Sequence, residues 1–310
     1  MNETNAVKIE GLTKRYGSVS AVDDISFTVK KGSLIGFLGV NGAGKSTTIN
    51  MMSTLLEPTA GSIEICGHDV KKDAAAVRRK MGIVYQNNVL DELLTVKENL
   101  LCRGILHGAD KKRAQEKLEA LCRIFSLKDI LKKKYRTLSG GQKRRCEIAA
   151  ALMHTPEILV LDEPTTGLDP AARKEVWSTI EELRRSTEMT VFLTTHYMEE
   201  AADADKIIII NKGRIAAQGL PHELKERYAS DSLKLYCTEQ AASAVAGKLG
   251  MEKLGWENNY VRIPLASTKD ALPILERVSG DIESFEVVQG TMDDVFLNAA
   301  KGEDENESVC

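Results

Sequence analysis

The chain has 310 residues, 43% hydrophobic and 28% charged, with a formal net charge of −3 and six cysteines. Its length favours two domains over one, and its charge gives no global pull toward nucleic acid. No apolar run approaches the ~20 residues that a spanning helix needs, the first five residues are polar, and the cysteines lack C-x-x-C spacing, so a cytoplasmic, reducing setting is expected rather than a secreted disulfide framework.

Residues 7–12 and 21–29 alternate as an antiparallel hairpin, with Tyr16-Gly17 in the connecting loop. The apolar run Leu34-Ile35-Gly36-Phe37-Leu38 reads as a buried parallel strand. Gly39-Val40-Asn41-Gly42-Ala43-Gly44-Lys45-Ser46-Thr47 follows it directly and opens a helix expected to reach about Leu56, before Pro58 and Gly61. Short strands follow at 63–67 and 81–85. From about 95 to 134 the pattern is helical, with Leu118, Leu121, Cys122 and Phe125 at helical spacing. Another helix spans 140–152. Buried strands at 158–161, 190–194 and 206–210 complete an alternation that argues for a parallel sheet with crossover helices. Cys66, Cys102, Cys122 and Cys146 read as small core residues.

A boundary is expected near 228–231. Beyond it, strands at 233–237, 260–265 and 282–288 alternate with helices at 240–249, 269–278 and 292–299. That is a small α+β domain without a chemical motif. The expected division is therefore 1–228, containing a helical subdomain at about 90–140, then 229–300, then an acidic disordered tail at 301–310.

The segment 39–47 fits G-x-x-x-x-G-K-[ST] between a strand and a helix, where a phosphate loop must lie to work. Its glycines let backbone N–H groups turn inward around phosphates, and the helix N-terminus adds a positive dipole. Lys45 is expected to reach the β- and γ-phosphates, and Ser46 to hold Mg²⁺. Asp162 ends the apolar run Ile158-Leu159-Val160-Leu161, at the carboxyl edge of a parallel sheet. It is expected to position Mg²⁺, and Glu163 to orient the attacking water as a base. Leu138-Ser139-Gly140-Gly141-Gln142 reads either as a capped helix start or as a second anion site at a helix N-terminus.

With these motifs the chain resembles the ATP-binding subunits of ABC transporters over about residues 6–225. The resemblance implies an α/β fold, a P-loop NTPase cassette with a parallel-sheet core, an antiparallel β subdomain and a helical subdomain. It also implies a head-to-tail dimer, homomeric or heteromeric. There Ser139, Gly140, Gly141 and Gln142 close on ATP held by the partner's phosphate loop. Tyr16 then resembles the aromatic that stacks on adenine, and Gln86 the glutamine that touches Mg²⁺ and the lytic water. Asp169 resembles the aspartate that links the two composite sites, and His196 the switch histidine at the γ-phosphate. Val40 departs from the family's usual proline. The segment Gly290-Thr291-Met292-Asp293-Asp294-Val295-Phe296-Leu297 resembles a motif of the daunorubicin-exporter-like, ABC-2 branch; locally, Thr291 and Asp294 also suit an N-cap.

The expected function is an ATPase subunit, using ATP and Mg²⁺, that powers a separate permease from the cytoplasmic face of the membrane and exports drugs or other hydrophobic compounds. The alternative is a soluble ABC-type ATPase serving as a nucleotide-gated regulatory or immunity module. Ribosome- and DNA-directed relatives carry two cassettes or long insertions, which are not found here, and no nucleic-acid partner is expected.

Overall fold

The computed structural model describes residues 5–251 and 255–307. The chain divides into two compact units at Gly219/Leu220.

In the first unit, β1 (Asn5–Tyr16) and β2 (Val19–Lys30) form the antiparallel pair that their alternation predicts, with Tyr16 opposite Val19. Next come β3 (Leu34–Leu38), the glycine-rich loop and α1 (Lys45–Met52). Every residue of β3 is buried, as its unbroken apolar run requires of a strand covered on both faces. The helix stops short of Leu56, because Thr54 takes a left-handed backbone with φ 65°. β4 (Ala60–Ile65) returns to pair with β1, and β5 (His68–Asp69) completes an antiparallel sheet of order β2-β1-β4-β5.

Beyond α2 (Ala74–Lys80) and β6 (Met81–Val84) lie three helices, α3 (Val96–Leu106), α4 (Lys111–Ile124) and α5 (Gly140–Ala151). Their starts are written in sequence. Thr95 and Glu98 form a reciprocal capping box on α3, and Asp110 accepts from Arg113 N at the start of α4. The unit closes with β7 (Ile158–Asp162), α6 (Pro170–Thr187), β8 (Thr190–Thr195), β9 (Lys206–Asn211) and β10 (Arg214–Gly219).

The second sheet has the order β10-β9-β3-β8-β7-β6. It is parallel except for β10, which turns back along β9. Leu38 pairs with Thr195, Thr194 with Asp162, and Leu161 with Val84, so four strands end along one edge. Phe27 of the antiparallel sheet stacks over Phe37 and Phe192 of the parallel one, with ring centroids 5.8 and 6.3 Å away. That apolar layer fixes the two sheets to each other. Cys122 and Cys146 are buried and Cys66 is half-buried, but Cys102 is exposed on α3, so it is not a core residue.

The second unit begins with α7 (Pro221–Tyr228) and β11 (Asp231–Tyr236), followed by α8 (Glu239–Leu249), β12 (Trp256–Glu257) and β13 (Tyr260–Leu265). It ends with α9 (Ala271–Val278), β14 (Ser284–Val288) and α10 (Met292–Glu307). Asn258 and Asn259, at φ 48° and 66°, make the tight turn from β12 to β13. The sheet is antiparallel with order β12-β13-β11-β14, the arrangement of ferredoxin-like βαββαβ folds. Two expectations are corrected. The boundary falls earlier than 228–231, because α7 packs against α10 and Asn298 Nδ2 donates to Tyr228 O at 2.7 Å. The acidic tail is helical through Glu307, while 308–310 lie outside the described residues. No helix among the described residues is long and apolar enough to cross a membrane.

Candidate functional site

The loop after β3 turns against the β1–β2 sheet. Gly44 has φ 111°, and a Cβ there would stand 2.6 Å from Ala21 O, so only glycine fits. Gly44 is also the N-cap of α1. It offers no side-chain cap, and no acidic residue occupies the first turn. A helix start with bare N–H groups and no carboxylate is suited to an anion. Val40 is half exposed.

Lys45 is buried at the head of α1. Its Nζ donates to Gly39 O at 2.6 Å and Val40 O at 3.2 Å, and lies 3.9 Å from Glu163 Oε1. Burial lowers its pKa, and the Glu163 and Asp162 carboxylates oppose that. Ser46 beside it is exposed.

The end of β7 delivers Asp162 and Glu163. Burial pushes the Asp162 carboxyl up, while Thr194 Oγ1, donating to Oδ1 at 2.5 Å, stabilises the charged form. Glu163 has φ 47°, an unusual left-handed backbone for a non-glycine residue. Its N–H donates to Thr194 O at 3.0 Å, which fixes that turn. The buried Glu163 Oε2 accepts from Gln86 Nε2 at 3.0 Å and Thr166 Oγ1 at 3.2 Å, and His196 Nδ1 stands 3.3 Å away. Lys45, Gln86, Asp162, Glu163 and His196 thus converge from four strand ends.

A carboxylate so held can take a proton from water, and the buried ammonium beside it can bind a phosphate oxygen. The glycine-built turn, the uncapped helix start and the buried lysine fit a triphosphate. Ser46, Asp162 and Gln86 can each offer one oxygen to a magnesium ion, whose other ligands would be phosphates and water.

Tyr16, Ser139 and Asp169 lie outside this cluster and make local contacts. Tyr16 is half exposed, with Lys14 Nζ 5.3 Å from its ring centroid. Ser139 caps α5: its Oγ accepts from Gln142 N at 3.3 Å, and Gln142 Oε1 accepts from Ser139 N at 3.2 Å. Asp169 caps α6 by accepting from Ala172 N at 3.0 Å. The two helix starts are close neighbours, since a Cβ on Gly141 would stand 3.0 Å from that of Ala172 and one on Gly140 would stand 3.4 Å from Leu168.

Two family models match the chain, ABC transporter over residues 22–166 and the C-terminal domain of DrrA1-3-like ATP-binding proteins over 219–300. The daunorubicin/doxorubicin resistance ATP-binding protein DrrA of Streptomyces peucetius is 40% identical over 304 residues, covering 95% of this chain and 92% of that protein. The daunorubicin resistance ATP-binding protein DrrA3 of Streptomyces coeruleorubidus is 38% identical, covering 94% and 95%. The chain belongs to the ABC transporter ATP-binding family.

Within it, this ABC ATPase has the DrrA-type C-terminal domain, and its relatives are of the drug-resistance and export type. A solved dimeric ATP-binding cassette in a post-hydrolysis state with ADP and Pi resembles it with a TM-score of 0.64 and 27% identity, covering 69% of this chain and 98% of that one. Sequence reasoning overlooked several residues that support the candidate site. Thr194 and Thr166 bind the two carboxylates, and Arg144 and Glu147 hold the backbone around Gln86. The only signal for the last pair was a pair of opposite charges three residues apart on the inner face of a helix.

Proposed function

We propose that the chain hydrolyses ATP to drive a separate integral-membrane permease that exports drugs or other hydrophobic compounds. The observation that carries the catalytic part is the convergence of Gln86, His196 and Lys45 on Glu163. Glu163 takes a proton as a water oxygen bonds to the γ-phosphorus and the bond from that phosphorus to the β–γ bridging oxygen breaks. Gln86 and His196 orient the water and the γ-phosphate, and Lys45 holds the β- and γ-oxygens. Ser46, Asp162 and Gln86 would hold Mg²⁺, which would supply positive charge against the charge that develops on the phosphate oxygens.

Two copies, or this chain and a similar one, pair head to tail. Ser139 to Gln142 of one then meets ATP on the phosphate loop of the other, with Tyr16 against adenine and Asp169 beside the junction. The export reading rests on relatives named for daunorubicin and doxorubicin resistance and for Nod factor export. The chain then works at the cytoplasmic face of the membrane, bound through its permease and without nucleic acid.

The test is affinity purification of the tagged chain from gently solubilised native membranes, with mass spectrometry of its companions. A stoichiometric polytopic membrane protein is expected. Recovery with soluble regulatory or ribosomal partners alone would overturn the transport role and leave the ATPase standing.

A further inference from the structure

Arg144 and Glu147 are charged, lie on the same inward face of α5, and are both nearly inaccessible, at 5% and 3% exposure. Burying two charges is costly unless their bonds are well made. Apart from the Tyr135 hydroxyl, which donates to Glu147, their hydrogen-bond partners are backbone groups of a single segment. Arg144 donates through Nη1 to Tyr85 O at 2.7 Å and through Nη2 to Gln86 O at 3.1 Å. Glu147 Oε1 accepts from Val89 N at 2.9 Å, Leu90 N at 3.1 Å and Tyr135 Oη at 2.8 Å. One face of α5 therefore grips residues 85–90 by four charge-assisted bonds, stronger than neutral ones. Asn99 extends the grip, accepting from Asp91 N and donating to Asp91 O, each at 2.9 Å.

The far end of α5 is seated as firmly. A Cβ on Gly82 of β6 would collide with the Ala151 carbonyl, so the absence of a side chain there lets the helix lie against the strand that leads to Gln86. α5 begins with the Ser139–Gln142 segment. A single rigid helix thus carries that segment at its N-terminus and holds the Gln86 backbone less than two turns further on.

We propose that Arg144 and Glu147 are positioning residues that aim Gln86 at Glu163 and make that aim depend on where α5 sits. This rests on the head-to-tail reading above: when Ser139 to Gln142 engages the partner's nucleotide, the same helix sets Gln86 in its own subunit. Hydrolysis in one site then follows engagement at the other. A purely structural role for the two charges would affect stability without depending on Gln86.

The experiment measures steady-state ATP hydrolysis by the full-length chain, wild type, Arg144→Lys and Glu147→Gln, each with and without Gln86→Ala, using only variants with wild-type circular dichroism. Gln86→Ala is read first. A wild-type rate there would overturn both the assigned role of Gln86 and this inference. With Gln86 present, each variant should lose ~10-fold or more in kcat with little change in KM for ATP. In the Gln86→Ala background they should lose nothing further. An equal loss in both backgrounds would overturn the positioning role while leaving the ATPase reading intact. The Hill coefficient for ATP should fall toward one in Glu147→Gln, and an unchanged coefficient would overturn the link between sites. If Arg144→Lys does not fold, Glu147→Gln carries the same comparison.

Discussion

His196 Nδ1 stands 3.3 Å from Glu163 Oε2, the same oxygen that accepts from Gln86 Nε2 at 3.0 Å. Glu163 follows β7, and its two neighbours follow β8 and β6, the strands that flank β7 in the sheet. One carboxylate oxygen is therefore bracketed from both sides by strands whose register is fixed by backbone pairing. This precision matters for a general base, whose efficiency falls off with small displacements.

Replacing Glu163 by Gln keeps the shape of the site and removes the proton acceptor. ATP turnover should fall by roughly 10² to 10⁴-fold, while ATP-bound dimers accumulate. Phosphate release and size-exclusion chromatography in ATP measure the two effects. A mutant turning over at the wild-type rate would remove Glu163 from the reaction.

Lys45→Ala deletes a buried ammonium aimed into the glycine-rich turn. Charge-assisted bonds are worth about 1.5–3 kcal/mol each, so ATP affinity should weaken by ~10-fold or more. Titration with a fluorescent ATP analogue checks this, and retained tight binding would count against the assignment.

Thr194→Val is nearly isosteric and removes the hydroxyl that fixes Asp162 Oδ1 at 2.5 Å. Partners that orient a metal ligand commonly matter by 10-fold or more in metal affinity. The Mg²⁺ concentration for half-maximal ATP hydrolysis should rise by roughly that factor, with the fold intact by circular dichroism. An unchanged Mg²⁺ requirement would show that Asp162 needs no such anchor.

The phosphate loop, the Asp162-Glu163 pair and Ser139 to Gln142 were legible because each is contiguous and set against a regular element. Gln86 and His196 each follow a predicted strand, but only the family resemblance singled them out. Thr194 and Arg144 were hidden for a physical reason. Their partners lie 32 and 58–59 residues away in sequence, and only strand order and helix docking bring them together. In the second unit the strands and helices showed in their periodicity. The membership of α7 did not, because it is decided by the packing of α7 on α10, a partner at the other end of the unit.

His154 bears on stability rather than catalysis. Its ring stacks on His107 at 3.9 Å between centroids, and Nε2 donates to Met81 O at 3.0 Å. Burial, and then the neighbouring His107, hold its pKa down to about 4 from 6.5. The folded chain keeps it neutral, so the unfolded chain gains the proton first on acidification. Its contribution is full above pH 6.5 and is lost as pH falls toward 4, amounting to at most about 3 kcal/mol. His154→Phe cannot titrate and should flatten the fall in thermal midpoint between neutral and mildly acidic pH. Parallel curves for mutant and wild type would exclude His154 as the source.

Ser139 and Gln142 already satisfy each other at the start of α5, as do Asp169 and the first turn of α6. In the head-to-tail reading proposed above, Ser139 Oγ can keep accepting from Gln142 N while its own O–H, which that cap does not use, donates to a phosphate. A donor added without breaking the cap leaves the start of the helix unchanged between the free and the engaged state, so engagement and release require no local refolding there.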